Sequence, residues 1–402
     1  MSSPGATAIA TVTRDRWAVI AAYALVASAN QLLWLTFTPI TTPTAHHFGV
    51  TASDIGWLSE IFPLLYVILA VPAASLLDRW FHPTLIAGAL LTGAGGLLRL
   101  GGDTFAWAMA GQVLIAVAQP LILNAITGLA SAYLTPASRP AGIALGSAGI
   151  FLGMLCSLAL GAALGGGSLH TLLVVNGMYG LVGALAVVAV LAVGNRPPIT
   201  GDVTGLFGMR TVWRDRTIRR LAGVAFIGFG FFVALTTWLQ TLLKPAHITA
   251  TAAGWILVGT VLTGVIGSAV LPPPIIRARA DVRLFRIAAG TTAGACILFA
   301  LWKSVPAIGL AAAVTGFLLL ACLPVILEVA ERRAGRAGTS ATALVWLSGN
   351  AGGIVIAIVI QIVVHHPLIA FLVMAAFAAV AVVIAPRETF TATAPEPERV
   401  AQ

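Results

Sequence analysis

The chain has 402 residues, 59% of them apolar and only 9% charged, with a mean hydropathy of +1.00. A soluble domain carries about a quarter charged residues, so that class is excluded. The formal charge of +9 raises nucleic acid as a partner, but the basic residues fall almost entirely in every second loop between apolar runs, which is a topology signal and not a binding patch.

Twelve apolar spans follow one another: 17–41, 55–77, 84–101, 106–130, 141–163, 170–194, 221–243, 252–272, 284–302, 305–327, 338–362 and 367–386. Their lengths suit a hydrocarbon layer of about 30 Å, and lone apolar runs of this length in lipid have to be helical. The first begins at Trp17, lasts about 25 residues and has many successors, unlike a cleaved signal peptide. With the N-terminus in the cytosol, all of the 22 Lys and Arg except Arg99, Lys244 and Lys303 fall on the cytosolic side. Both termini are then cytoplasmic.

Between Asn195 and Arg220 the chain carries Arg196, Arg210, Arg214, Arg216, Arg219 and Arg220 against Asp202 and Asp215. Such a stretch is excluded from lipid and reads as a cytosolic linker. The expected organisation is an all-α membrane protein of the major facilitator fold, with 12 transmembrane helices in two six-helix halves. Its parts are an N-terminal bundle 1–194, a linker 195–220, a C-terminal bundle 221–386 and a disordered tail 387–402. Residues 1–12 also have nothing to bury.

Polar groups inside the spans are expected to face the interior or a neighbour. Span 1 offers Asn30 and Trp34, four apart and so on one face, near mid-membrane. Span 4 brings Gln119, Pro120 and Asn124 to a similar depth, and Pro120 should kink the helix beside Gln119. These groups read either as a binding site or as hydrogen-bonding glue between spans 1 and 4. Span 7 holds Phe226, Phe229, Phe231 and Phe232, a stripe that suits a cation through cation–π attraction or plain packing. Span 11 adds Trp346 and Asn350 at mid-depth. Gly142, Gly146, Gly149 and Gly153 on span 5, and Gly349, Gly352 and Gly353 on span 11, allow close helix approach.

No acid sits at the centre of spans 1, 4, 7 or 10, where proton coupling usually needs one; Glu60, near the outer end of span 2, keeps that option open. Cys156, Cys296 and Cys322 fit no metal or disulfide spacing, and the pairs His46–His47 and His365–His366 read as loop histidines. There is no phosphate-cradling loop and no nucleophile or metal set, so no cofactor, no metal and no enzyme are expected.

Four stretches together carry a resemblance. They are Arg16-Trp17 with Asn30 to Trp34, Ile55 to Ser59, Ala118 to Leu123, and Leu323 to Glu328 leading to Ala330-Glu331. With Asp78-Arg79 in the loop after span 2, they resemble the feline leukaemia virus subgroup C receptor-related transporters of the major facilitator superfamily. The resemblance implies transport of choline, ethanolamine or a related small cation, with haem also proposed, by facilitated diffusion in some members. It implies a cation site of Trp34, Gln119 and a helix 7 aromatic. That aromatic falls near Phe232 or Val233, and span 7 has no tyrosine. It implies alternating access, with Asp78 and Arg79 abutting the exit of span 4 and Arg139 as a cytosolic latch. From the residues themselves, Glu328 and Glu331 close span 10 beside Arg332 and Arg333, and Glu328 and Arg332 join the gating candidates. The loop Leu271 to Arg277 departs from the family's acidic–basic pattern.

The expected function is therefore a secondary transporter of a small organic solute, with a choline-like cation as the candidate, in the lipid bilayer. A proton-coupled drug or metabolite exporter using Glu60 is the alternative, though span 5 lacks the Gly-Pro signature of such exporters. A non-transporting membrane sensor is a third class, which would call for an appended soluble domain. A monomer is expected, and the Arg-, Ala- and Gly-rich chain with short loops suggests a bacterial inner membrane.

Overall fold

The computed structural model describes residues 15–164, 168–193, 196–197, 205–302 and 304–386. The expectations for residues 1–12, for the tail 387–402, for Lys303 and for much of the linker lie outside the described residues. A first group of helices comprises α1 (Trp17–Trp34), α2 (Thr41–Phe48), α3 (Ala52–Leu98), α4 (Phe105–Leu123), α5 (Ile126–Tyr133), α6 (Arg139–Leu164) and α7 (Leu169–Ala192). A connector helix α8 (Gly205–Arg214) leads to the second group: α9 (Arg216–Leu243), α10 (Ala250–Val270), α11 (Pro272–Arg277), α12 (Asp281–Leu301), α13 (Val305–Ala334), α14 (Gly338–Val363) and α15 (Pro367–Ile384).

Among the described residues eleven helices are long and apolar enough to cross a membrane. One of them, Asp54–Leu98, has 45 residues, roughly 68 Å at 1.5 Å per residue, more than twice a hydrocarbon layer. It is broken at Trp80, where φ is −139° and ψ 61°. Beside the break the Thr84 hydroxyl donates to the Leu76 carbonyl at 3.1 Å. Eight residues of straight helix would hold those groups about 12 Å apart, so the chain folds back there. The segment starts in a capping box: Thr51 accepts from the Asp54 amide, and the Asp54 carboxylate accepts from the Thr51 amide.

Two spans read as continuous are interrupted. α1 stops at Trp34, and the chain passes through Thr38–Ile40, a single 3-10 turn, into α2. Pro39 and Pro43 lack the amide protons that a continued helix needs, and Thr36, Thr38 and Thr41 turn their hydroxyls onto nearby carbonyls or Ser59. Accordingly His46 and His47 sit at the end of α2 and not in a loop; His47 pairs with Asp103 at 2.7 Å. The second interruption separates α4 from α5 at Asn124 and Ala125, four to five residues past Pro120. The loop after span 8 is itself the short helix α11, opened by the proline run.

Within the first group α1 packs on α6 and α7, and α3 on α4 and α7; within the second, α9 packs on α14, α10 on α13 and α12 on α15. The groups meet where α6 lies against α10 and α13, and where α14 lies against α3. Within the second group Gly352 lets α14 approach α9 closely: a Cβ there would collide with the Phe226 carbonyl. One apolar core cluster runs through both groups.

Candidate functional site

The face between the groups is lined by rings. Trp34 at the end of α1 stacks on Phe62 of α3, centroids 5.9 Å apart at 27°, and its indole N–H donates to the Ser59 carbonyl at 2.9 Å. One turn on from Phe62, Tyr66 shares its face. Tyr66 lies 6.5 Å from Trp346 of α14, which lies 6.1 Å from Phe229 of α9. Phe229 is 6.3 Å from Phe232, and Phe232 is 6.2 Å from Phe151 of α6. The series thus passes from the first group to the second and back.

Beside these rings lies a cavity of about 50 Å³. Phe151, Phe229, Phe232 and Trp346 wall it, and it carries no Asp, Glu, Lys or Arg. Its polar lining includes Thr292 and Cys322, both already bonded to carbonyls of their own helices, Ala288 and Leu318. The cavity is small beside the roughly 300–1,000 Å³ of ordinary ligand pockets.

The sequence candidates divide. Phe232 and Trp346 line the cavity, whereas Asn30, Trp34, Gln119 and Asn124 do not. Asn30 is committed between helices, donating to the Thr92 hydroxyl at 3.2 Å and the Ile115 carbonyl at 3.1 Å. Asn350 donates to the Trp346 carbonyl one turn back at 2.9 Å. Trp34 and Gln119 are not level. Gln112 of α4 bonds the Trp34 carbonyl, and Gln119 stands seven residues further along, roughly 10 Å away. Asn124 accepts from the Tyr66 hydroxyl at 2.5 Å. Among the substrate-site candidates, three buried polar atoms have no protein partner: Gln119 Oε1, Asn124 Nδ2 and Trp346 Nε1. A buried unpaired group costs about 1–3 kcal/mol, so each is a candidate to meet a solute. Glu60 is exposed on α3, next to Ser59.

Tyr66, Phe62 and Phe151 were missed from sequence. A lone tyrosine in an apolar span was the available signal, since its hydroxyl needs a partner at that depth. Gln112 was also legible, seven residues before Gln119 and so on the same face of α4.

At the end of the bundle that holds Arg139, several contacts join the groups. The Thr127 and Thr342 hydroxyls are 2.6 Å apart, Asp78 meets the Thr339 hydroxyl, and Glu331 meets Ser131. Arg139 donates to the Ser131 carbonyl at 3.1 Å, and its charge acts on both Glu328 and Glu331. Glu328 is buried and pairs with Arg332 one turn on. Arg79 is elsewhere: it is exposed, 4.6 Å above the ring of its neighbour Trp80. Outside the spans, Asp15 accepts from the Ser138 hydroxyl and the Thr135 amide, each at 2.6 Å, and these bonds hold its carboxyl below the ordinary value. Asp215, before α9, pairs with Arg333 at 2.9 Å. Burial pushes its carboxyl up, but the Arg333 bond and charge, with the Ile218 and Thr217 amides, outweigh that and hold it low.

The comparisons agree on family. The Major Facilitator Superfamily model matches residues 19–357. Solute carrier family 49 member A3 of zebrafish is 27% identical over 317 residues, 74% of this chain and 66% of that protein. The human choline/ethanolamine transporter FLVCR2 is 31% identical over 136 residues, 33% of this chain and 26% of that protein. The matches thus span under two thirds of one relative and about a quarter of the other. The human organic anion transporter MFSD10 superposes with a TM-score of 0.74 at 16% identity, covering 92% of this chain and 99% of that one, a likeness of fold alone. The relatives correct the expected bacterial inner membrane: they are mainly animal solute carriers, from zebrafish, human, rat, nematode, frog and cat. Apolar composition and short loops record what any bilayer demands of a helix and do not distinguish one membrane from another. With a family model over most of its length, this multi-pass membrane chain belongs to the Major Facilitator Superfamily and is related to the choline/ethanolamine transporter subfamily.

Proposed function

We propose that the chain is a secondary transporter that moves a small organic solute by alternating access, and that the solute is a choline-like cation carried by facilitated diffusion. The observation that carries the reading is the run of rings from Tyr66 through Trp346, Phe229 and Phe232 to Phe151, which crosses between the helix groups. Aromatic faces attract an organic ammonium by about 0.5–2 kcal/mol each, without a carboxylate that a proton could neutralise. The cavity has no such carboxylate, and FLVCR2, to which part of the chain is similar, is named a choline/ethanolamine transporter.

In this reading Trp34 and Phe62 form one station, with Trp346, Phe229 and Phe232 a second. Gln119 and Asn124 offer amide groups to the solute's polar end. Asn30 and Asn350 support the site from behind. The fold-back at Trp80 divides the 45-residue segment into two arms, giving 12 spans in two groups of six, 1–194 and 221–386, joined by 195–220. Asp78, Arg139, Glu328 and Glu331 close one end, and Arg332 neutralises Glu328 there. Arg79 acts through Trp80 at the surface. The chain works as a monomer.

Glu60, exposed beside the Trp34 station, favours a second reading in which export is proton-coupled. Uptake of radiolabelled choline and ethanolamine into liposomes, with and without a pH gradient, separates the two. Saturable uptake indifferent to the gradient fits the facilitator. Uptake that needs the gradient and vanishes in Glu60→Gln fits the exporter, and no uptake of either compound sinks the cation assignment.

A further inference from the structure

α1 ends within an apolar span, and a helix that ends there strands the carbonyls of its last turn. Every one of them has a donor. The Leu35 amide donates to Gln31 O at 3.3 Å, and the Thr36 hydroxyl is shared between Leu32 O at 3.2 Å and Leu33 O at 3.0 Å. Arg99 Nη1 reaches Leu33 O at 3.4 Å, and Gln112 Nε2 reaches Trp34 O at 3.4 Å and Leu58 O at 2.9 Å. Arg99 also donates to the Thr36 hydroxyl at 3.1 Å and to Gln112 Oε1 at 3.4 Å, and Asn176 of α7 donates to Thr36 at 3.1 Å.

Arg99 is only 1% exposed, with its guanidinium 5.7 Å from the Phe37 ring. A topological arginine at a span end extends its head to water, and this one does not. A structural ion pair has a carboxylate; among the described residues none lies within ion-pair distance of Arg99. What faces the charge is the negative end of α1, where a cation is favoured. Gly111 packs against the arginine's own stem, so that α4 presses it onto the break.

We propose that Arg99 is a positioning residue: through Thr36 and Gln112 it fixes the break of α1, and the fixed break sets the Trp34 ring against Ser59 and Phe62 for the solute. The second clause rests on the reading of Trp34 as a solute contact; the first does not. Without the brace the Leu33 and Trp34 peptide groups are free to turn, and the indole leaves the Ser59 carbonyl.

The test uses the full chain in lipid, with two readouts. Amide hydrogen exchange over residues 33–41 is compared in wild type, Arg99→Gln, Arg99→Lys and Gln112→Ala. The brace predicts exchange about tenfold faster there in Arg99→Gln and Gln112→Ala, and no change in α12 or α15. Unchanged exchange at the break overturns the brace. Choline uptake is then measured in Arg99→Gln alone and in Trp34→Phe. Arg99→Gln should raise KM about tenfold and leave Vmax within about twofold, Arg99→Lys should recover part of the loss, and in the Trp34→Phe background the added effect should fall below about twofold. A full tenfold effect in that background overturns the relay through Trp34. Faster exchange with an unmoved KM, in a protein that does transport choline, overturns Trp34 as the contact and leaves the brace standing. Should Arg99→Gln fail to fold, Arg99→Lys and Gln112→Ala carry both readouts.

Discussion

The two helix groups handle buried polarity in different ways. In the first, side chains cross between helices: Asn30 to α3 and α4, Gln112 to α1 and α3, Asn176 and Arg99 to Thr36, Ser28 to Tyr179 at 3.0 Å, and His82 to Tyr133 at 2.8 Å. In the second, Thr236, Thr260, Thr292, Cys322 and Asn350 each bond a carbonyl of their own helix, and Thr263 and Trp238 reach a neighbour. A cross-helix bond fixes where two helices sit. A bond to one's own helix only removes the cost of the polar group. Apart from Phe151, the cavity is walled by the second group, whose polar side chains mostly bond their own helices. The contrast predicts a more rigid first group and a more yielding second.

This contrast can be broken by substitution, beginning with the largest effect. Gly352→Val forces a side chain into the Phe226 carbonyl and should lower stability by about 3 kcal/mol, seen as a lower melting temperature or lost monodispersity. A normal melting curve would mean that α9 and α14 shift apart easily, more easily than their packing implies. Asn30→Leu removes the bonds to Thr92 and Ile115 and leaves the buried Gln31 amide without its acceptor, and should cost about 2 kcal/mol. Thr292→Val, its counterpart in the second group, should stay within about 0.5–1 kcal/mol. Equal losses in the same lipid would erase the distinction between the groups.

The smallest effect concerns the connector. Asp215 keeps its charge in the fold below the ordinary carboxylate value of 3.8. The stability it contributes is complete above that value and is lost as pH falls through the lowered one. Both partners are partly exposed, so Asp215→Asn should cost no more than about 1 kcal/mol at pH 7, and nothing once the wild-type carboxyl is protonated. A variant as destabilised in acid as at neutral pH would assign the loss to the caps on Thr217 and Ile218 instead.

Much of the fold was legible because lipid imposes it: run length marked most of the membrane-length helices. Pro120 announced an interruption in span 4, but the helix yields at Asn124, where Tyr66 draws the amide away. The end of α1 was written in Thr36, Thr38 and Pro39, yet nothing local said which donors would cap it. Arg99 read as an exception to loop charge, because its burial depends on α1, α4 and α7 converging from distant stretches. For the site, single residues were legible and their grouping was not. Phe232 and Trp346 meet at the cavity, while Trp34 and Gln119, which looked level by counting, stand about two turns apart.

Equilibrium binding of radiolabelled choline to the purified protein tests the proposal that the ring series holds the cation, without the complication of gating. Binding should saturate and weaken about tenfold in Trp346→Leu and again in Trp34→Leu, as expected when an aromatic face worth about 1–2 kcal/mol is removed. Binding that saturates normally in both variants would contradict it.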